Sequence, residues 1–195
     1  MNKQAKAKLF LTVILGLPII GIVTAYASYY SGFFSNIGKT NNGKLISPPV
    51  TMQDLKLDIL KSNKNNRIKG AAEQTWKLII LTVNDCNELC QQQLYITRQV
   101  HIALGKEANR LERLYLSTKS DQFAESILEE HPKLKLANIS QVEITQHLSD
   151  KLPTVKSTIL LADPLGNIMM YYTDNHSGKA ILTDIKHLLK ISRIG

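Results

Sequence analysis

Two residues stand out for their chemistry: Cys86 and Cys90, the only cysteines among 195 residues, set as Cys-Asn-Glu-Leu-Cys. Four residues of α-helix advance about 6 Å and bring positions i and i+4 to one face. Disulfides need Cα atoms roughly 4.4–6.8 Å apart, so this spacing can close a bridge. As thiolates the same two sulfurs suit a soft metal ion such as Cu(I). A helix N-terminus favours a thiolate there, whereas the adjacent carboxylates of Asp85 and Glu88 oppose it. Three readings are open: an exchanging dithiol, a Cu(I) site, and a purely structural pair, either a disulfide or two small apolar packers. A structural bridge usually closes a longer loop, because a short loop removes little unfolded-state entropy. A closed zinc site needs four ligands, and the sequence has no second cysteine pair.

The elements that must position the pair can be read from hydropathy. Trp76–Val83 is a nearly continuous apolar run, the mark of a strand buried on both faces. The cysteines follow it and lead into a helix expected from Glu88 to Gly105, where Gly105 supplies the stop. Further strands are expected over 111–117, around 134–136, and over 157–162 and 168–172. The last two are joined by the turn signal Asp163-Pro-Leu-Gly166. Helices are expected from Ser120 or Asp121 to His131-Pro132, over 141–148, and over 178–191. Leu55, Leu57 and Ile59 alternate with charged residues and predict a half-exposed strand, turning at 61–66. This order gives an α/β, thioredoxin-like domain over 53–195, with an extra N-terminal strand and an inserted strand–helix.

Upstream, Leu9–Tyr30 is a run of 22 residues without a charged side chain. That length spans a bilayer as a helix, and Gly16, Pro18 and Gly21 are tolerated within it. Lys3, Lys6 and Lys8 precede the run and aromatic residues from Tyr26 to Phe34 close it. This pattern predicts a cytoplasmic N-terminus and an exported domain, single-pass in a bacterial inner membrane. The competing reading is a signal peptide cleaved after Ala27 in Ala25-Tyr-Ala27. Either places the cysteines in the periplasm, where disulfides form. Residues 1–31 are thus read as flank and membrane helix, and 32–52, rich in Gly, Asn, Ser and Pro, as a linker. The formal charge of +8 includes the anchor flank, without which 21 basic residues face 16 acidic ones. These charges are dispersed and no nucleic-acid motif is present.

The anchor, the C-x3-C after the first core strand and the late Asp163-Pro-x-Gly166 hairpin resemble the Sco/SenC group of membrane-anchored, copper-linked thioredoxin-fold proteins. Ile46-Ser-Pro-Pro49, Leu94–Val100, Ala103–Lys106, Asp163–Met170 and Ser192–Gly195 are similar to a small membrane protein encoded in bacterial cytochrome c oxidase gene clusters. What the resemblance implies is a part in oxidase assembly, with copper as a candidate cofactor and an oxidase subunit or copper chaperone as partner. Cys86 and Cys90 carry over as thiols. Two departures stand against the Sco copper triad: Gln91 replaces the proline after the second cysteine, and Thr154-Val-Lys-Ser157 lacks the histidine ligand. His147 is the nearest histidine in sequence, and a surface role suits it better than ligation. Pro153 occupies the place where thioredoxin folds set a cis-proline opposite the cysteines. Met169 and Met170 fall on opposite strand faces, so packing suits them better than joint chelation.

Overall fold

The computed structural model describes residues 3–31, 40–61, 74–83, 85–119, 124–153 and 157–194. The chain divides into two compact units, residues 1–40 and 41–195. In the first, α1 (Lys3–Tyr30) is a 28-residue helix that runs through Pro18. Within it Gln4–Tyr30 is long and apolar enough to cross a membrane.

In the second unit the strands are β1 (Lys44–Thr51), β2 (Asp58–Lys61), β3 (Trp76–Thr82), β4 (Leu111–Ser117), β5 (Leu134–Asn138), β6 (Ser157–Ala162) and β7 (Asn167–Tyr172). The helices are α2 (Glu88–Ala103), α3 (Ala124–Glu130), α4 (Gln141–His147) and α5 (Gly178–Ile191), with a 3-10 segment at Gly105–Arg110 after α2. All seven strands form one sheet in the order β1-β7-β6-β3-β4-β5-β2. β3, β4 and β5 are parallel, while β6, β7 and both edge strands run antiparallel to their neighbours.

The apolar run of β3 has its explanation in this position. Leu78 and Ile80 face the layer that holds α2 and α5, and Ile79 and Leu81 face the layer that includes Ile144 and Leu148. All four β3 residues are 0% exposed. Both faces are covered, so both sets of alternating positions must be apolar. α5 presents Ile181, Ile185 and Leu189 to the core, one per helical turn.

Three expectations need correction. The linker predicted over 32–52 ends sooner, because Lys44–Thr51 pairs with β7 as an edge strand. An edge tolerates Pro48 and Pro49, which lack donors, and the register slips between Leu45 and Val50. The strand predicted around Leu55–Ile59 is displaced: residues 52–56 turn, burying Leu55 completely, and pairing with β5 begins at Asp58. Among the described residues the one cis peptide bond is Ser47–Pro48, so Leu152–Pro153 is not cis. Pro153 is exposed, and the trans form is favoured by about 0.5–1 kcal/mol for X–Pro unless packing selects otherwise. The proposed caps Ser120 and Asp121, and Thr154–Lys156, lie outside the described residues.

Candidate functional site

The site lies where β3 gives way to α2. Thr118 ties the ends of β3 and β4 together: its backbone N–H donates to Thr82 O at 3.3 Å, and its hydroxyl donates to Val83 O. Lys119 reaches from the same strand end to Asp85, with Nζ–Oδ2 2.9 Å. This pairs the carboxylate beside Cys86 with a cation, although both side chains are more than half exposed and water screens the pair. On the other side, Ser157 at the start of β6 registers on Thr82. Gln93 of α2 holds Ser157, donating to its carbonyl at 3.3 Å and accepting from its hydroxyl.

Asn87 caps α2, its Oδ1 accepting from Cys90 N at 3.1 Å. The cap satisfies one of the orphan donors of the first turn. Cys86 therefore sits just before the cap and Cys90 within the first turn. The two are joined as a disulfide with Cα atoms 5.2 Å apart. Their environments differ: Cys86 is half-buried, while Cys90 is 0% exposed and packs with Ile80, Leu94, Tyr115, Leu134 and Leu136. Gln91, at the position of the Sco proline, donates its backbone N–H to Asn87 O at 3.0 Å, a bond that proline could not make.

Tyr115 was not singled out by the sequence. Its hydroxyl lies 3.9 Å from Cys90 Sγ, and burial, with the charge of Asp85 adding, raises its pKa above the ordinary tyrosine value. It is therefore a protonated donor beside the buried sulfur.

Beside Cys86 a cleft of about 230 Å³ opens between α2 and α3, reaching Tyr95, Arg98, Ile127 and His131. Sequence spacing missed these groups because they come from three separate elements. The other candidate ligand lies elsewhere: His147 contacts Glu143 at 3.4 Å on α4, which packs on the opposite face of the sheet through Ile144. Among the described residues no three His, Cys, Asp or Glu side chains gather as a metal-holding group. Reduction of the Cys86–Cys90 bond would leave two thiols at this place.

This sheet, its flanking helices and the cysteines at the first core strand define a thioredoxin-like domain. The chain belongs to the family described as transmembrane-like, thioredoxin-like, C-terminal domain, whose model matches residues 76–192. No curated protein matches it. Among solved structures it is similar to yeast Sco1, with a TM-score of 0.52 and 15% identity over 80% of this chain and 98% of that one. Yeast Sco1 with copper bound gives a TM-score of 0.50 and 16% identity over 60% and 77% of the two chains. BsSco, described as a member of the Sco family of cytochrome c oxidase assembly proteins with a disulfide switch, gives 0.50 and 13% over 80% and 100%. The fold is Sco-like.

Proposed function

We propose that the protein is a membrane-anchored thiol–disulfide exchange factor that serves cytochrome c oxidase assembly. One observation carries the exchange reading: a disulfide between an accessible Cys86, open to a cleft, and a fully buried Cys90. Such asymmetry suits a working dithiol, because the partner can meet only one sulfur. In the reducing direction, the Cys86 thiolate attacks one sulfur of the partner's disulfide and expels the other as a thiolate. Cys90 thiolate then attacks Cys86 Sγ, closing the 86–90 bond and releasing the partner's second sulfur. The partner disulfide gains two electrons and the Cys86–Cys90 pair loses them. In the opposite direction a partner dithiol attacks Cys86, and Cys90 leaves first.

Lys3, Lys6 and Lys8 in the first turns of α1 and the tyrosines at its end support a cytoplasmic N-terminus and a periplasmic domain. The oxidase setting rests on the resemblance to the Sco group. A second reading is Cu(I) as cargo, favoured by two soft sulfurs close enough to bond to one another. Equilibration with thiol buffers tests the primary reading. A potential above about −300 mV is expected, and one well below it would mark an inert structural bridge. Anaerobic Cu(I) titration of the reduced protein, compared with Cys86→Ser, decides the second.

A further inference from the structure

The cleft beside Cys86 continues into another. Further along α2 a cleft of about 340 Å³ lies against the turn at His131–Lys133, and Arg98 and His131 line both. Gln91, Tyr95, Arg98 and Ile102 recur every three or four residues, so one face of α2 forms the length of this groove. Tyr95 and Ile102 are 59% and 60% exposed there, large side chains left in water on a single helix face.

The second cleft is basic. Arg113 is only 3% exposed; its Nη2 donates to Leu94 O at 2.8 Å and Thr97 Oγ1 at 3.1 Å, while its Nε has no partner. Among the described residues no carboxylate pairs with Arg113, Arg98 or Lys133. Burial and the charge of Arg98 lower the Arg113 pKa to about 10, which leaves it charged at neutral pH. His131 is 7% exposed and its Nδ1 is also unpartnered. The acidic neighbour of His131 is Glu130, an exposed residue at the rim. A buried guanidinium without an acid is costly, and an incoming anion would offset that cost.

Building on the exchange reading, we propose that this groove binds an extended acidic segment of the thiol partner. An Asp or Glu carboxylate of the partner enters the cleft of Arg98, Arg113 and Lys133 while its cysteine meets Cys86. Charge complementarity selects the acidic chain, and Tyr95 and Ile102 receive its apolar side chains. Tyr and Arg at such a surface are the residue types that dominate binding energy. Arg98 is eight helix positions from Cys90, about 12 Å at 1.5 Å per residue, and Cys86 lies with its Cα 5.2 Å from that of Cys90. An extended chain covers the path from Cys86 to Arg98 with about four to five residues at ~3.3 Å each, which sets the distance between the partner's carboxylate and its cysteine.

The test uses the full chain in neutral-lipid nanodiscs and two labelled peptides, read by fluorescence anisotropy. One carries an aspartate about four to five residues from a serine standing in for the reactive cysteine; the other carries asparagine at the aspartate position. The aspartate peptide is expected to bind roughly tenfold tighter, the scale of one charge-assisted hydrogen-bonded contact. Salt should narrow the gap, and the surface variants Arg98→Glu and Lys133→Glu should close it. Equal affinities, or an advantage that survives both variants, would overturn the proposal. Equal affinities combined with protection of Lys133 from acylation in phosphatidylglycerol nanodiscs would also overturn it, assigning the groove to lipid headgroups. No thiol reacts in this assay, so its outcome is separate from that of the exchange reading.

Discussion

The Tyr115 hydroxyl stands 3.9 Å from Cys90 Sγ, and no other side chain hydroxyl or amide among the described residues is within hydrogen-bonding reach of that sulfur. β4 supplies the tyrosine and α2 the cysteine, so the contact ties the helix start to the sheet. In the disulfide the hydroxyl meets a weak acceptor; after reduction it would meet a thiol or thiolate. Hydrogen bonds to charged groups are stronger than neutral ones. Tyr115→Phe is therefore expected to destabilise the reduced form and lower the reduction potential by about 10–30 mV. Equilibration of both proteins in glutathione buffers measures this. An unchanged potential would mean that the hydroxyl does not support the sulfur.

The burial difference between the cysteines predicts opposite behaviour of the single variants. Cys90→Ser leaves the half-buried Cys86 as a free thiol, which should react rapidly with a disulfide probe and trap mixed disulfides visible by mass spectrometry. Cys86→Ser leaves Cys90 enclosed by Ile80, Leu94 and Leu134. Its labelling is expected to be at least tenfold slower and to require local opening. Equal labelling of the two variants would remove the basis for assigning the attacking role to Cys86.

How far the site was legible depended on whether its parts were local. The cysteine pair, the buried strand before it and the helix after it are contiguous, so hydropathy and spacing placed them well. Gly105 stops α2 with φ +57°, and Gly166 turns the late hairpin with φ +90°, conformations that favour glycine. Asp163 accepts from the N–H groups of Leu165 and Asn167 in that turn. By contrast, β1 was hidden by Pro48 and Pro49, which argue against a strand unless it is known to be an edge. Leu55 took part in a strand-like alternation, yet a turn rather than a ladder buries it. The basic cleft was invisible for another reason. Arg98, Arg113 and Lys133 belong to α2, β4 and the loop before β5, and only the parallel pairing of β4 with β5 brings those segments together.

Asp184 predicts a stability effect far from the cysteines. It is 3% exposed and accepts from the backbone N–H of Asn42 at 2.9 Å, Asn42 Nδ2 at 2.7 Å, Gly43 N at 2.8 Å and Tyr172 OH at 3.2 Å. Burial, followed by this carboxylate's charge, raises the Tyr172 pKa strongly, so the phenol stays a donor. Asp184→Asn replaces an acceptor by a donor against backbone N–H groups. A loss of about 3 kcal/mol is expected, or roughly 6–12 °C in Tm for a domain of this size. Gly43→Ala should also destabilise, since a Cβ there would lie 2.6 Å from Met170 Sδ and Tyr172 Cε1. Thermal unfolding followed by circular dichroism checks both. A Tm within 1–2 °C of the parent for Asp184→Asn would reject the anchoring role, because that is below the expected range.

The basic cleft predicts a pH dependence through His101 and His131. Burial lowers both pKa values, with Arg113 adding to each, Lys133 to His101 and Arg98 to His131. Each is thus neutral in the fold at a pH where the unfolded chain, with an ordinary value of about 6.5, begins to bind a proton. The unfolded state then holds more protons, so stability is present above about pH 6.5 and is lost as pH falls below it. Tm is expected to drop between pH 7 and 5, and His101→Gln with His131→Gln should flatten that drop. An unaltered slope in the double variant would assign the dependence to other groups. A carboxylate bound in the cleft has the reverse effect, because its charge favours the protonated histidines. Acidic-peptide binding should therefore take up protons and tighten as pH falls over the same interval, even as the fold weakens. Calorimetry in buffers of differing ionisation enthalpy would read that uptake, and its absence would separate these histidines from the bound anion.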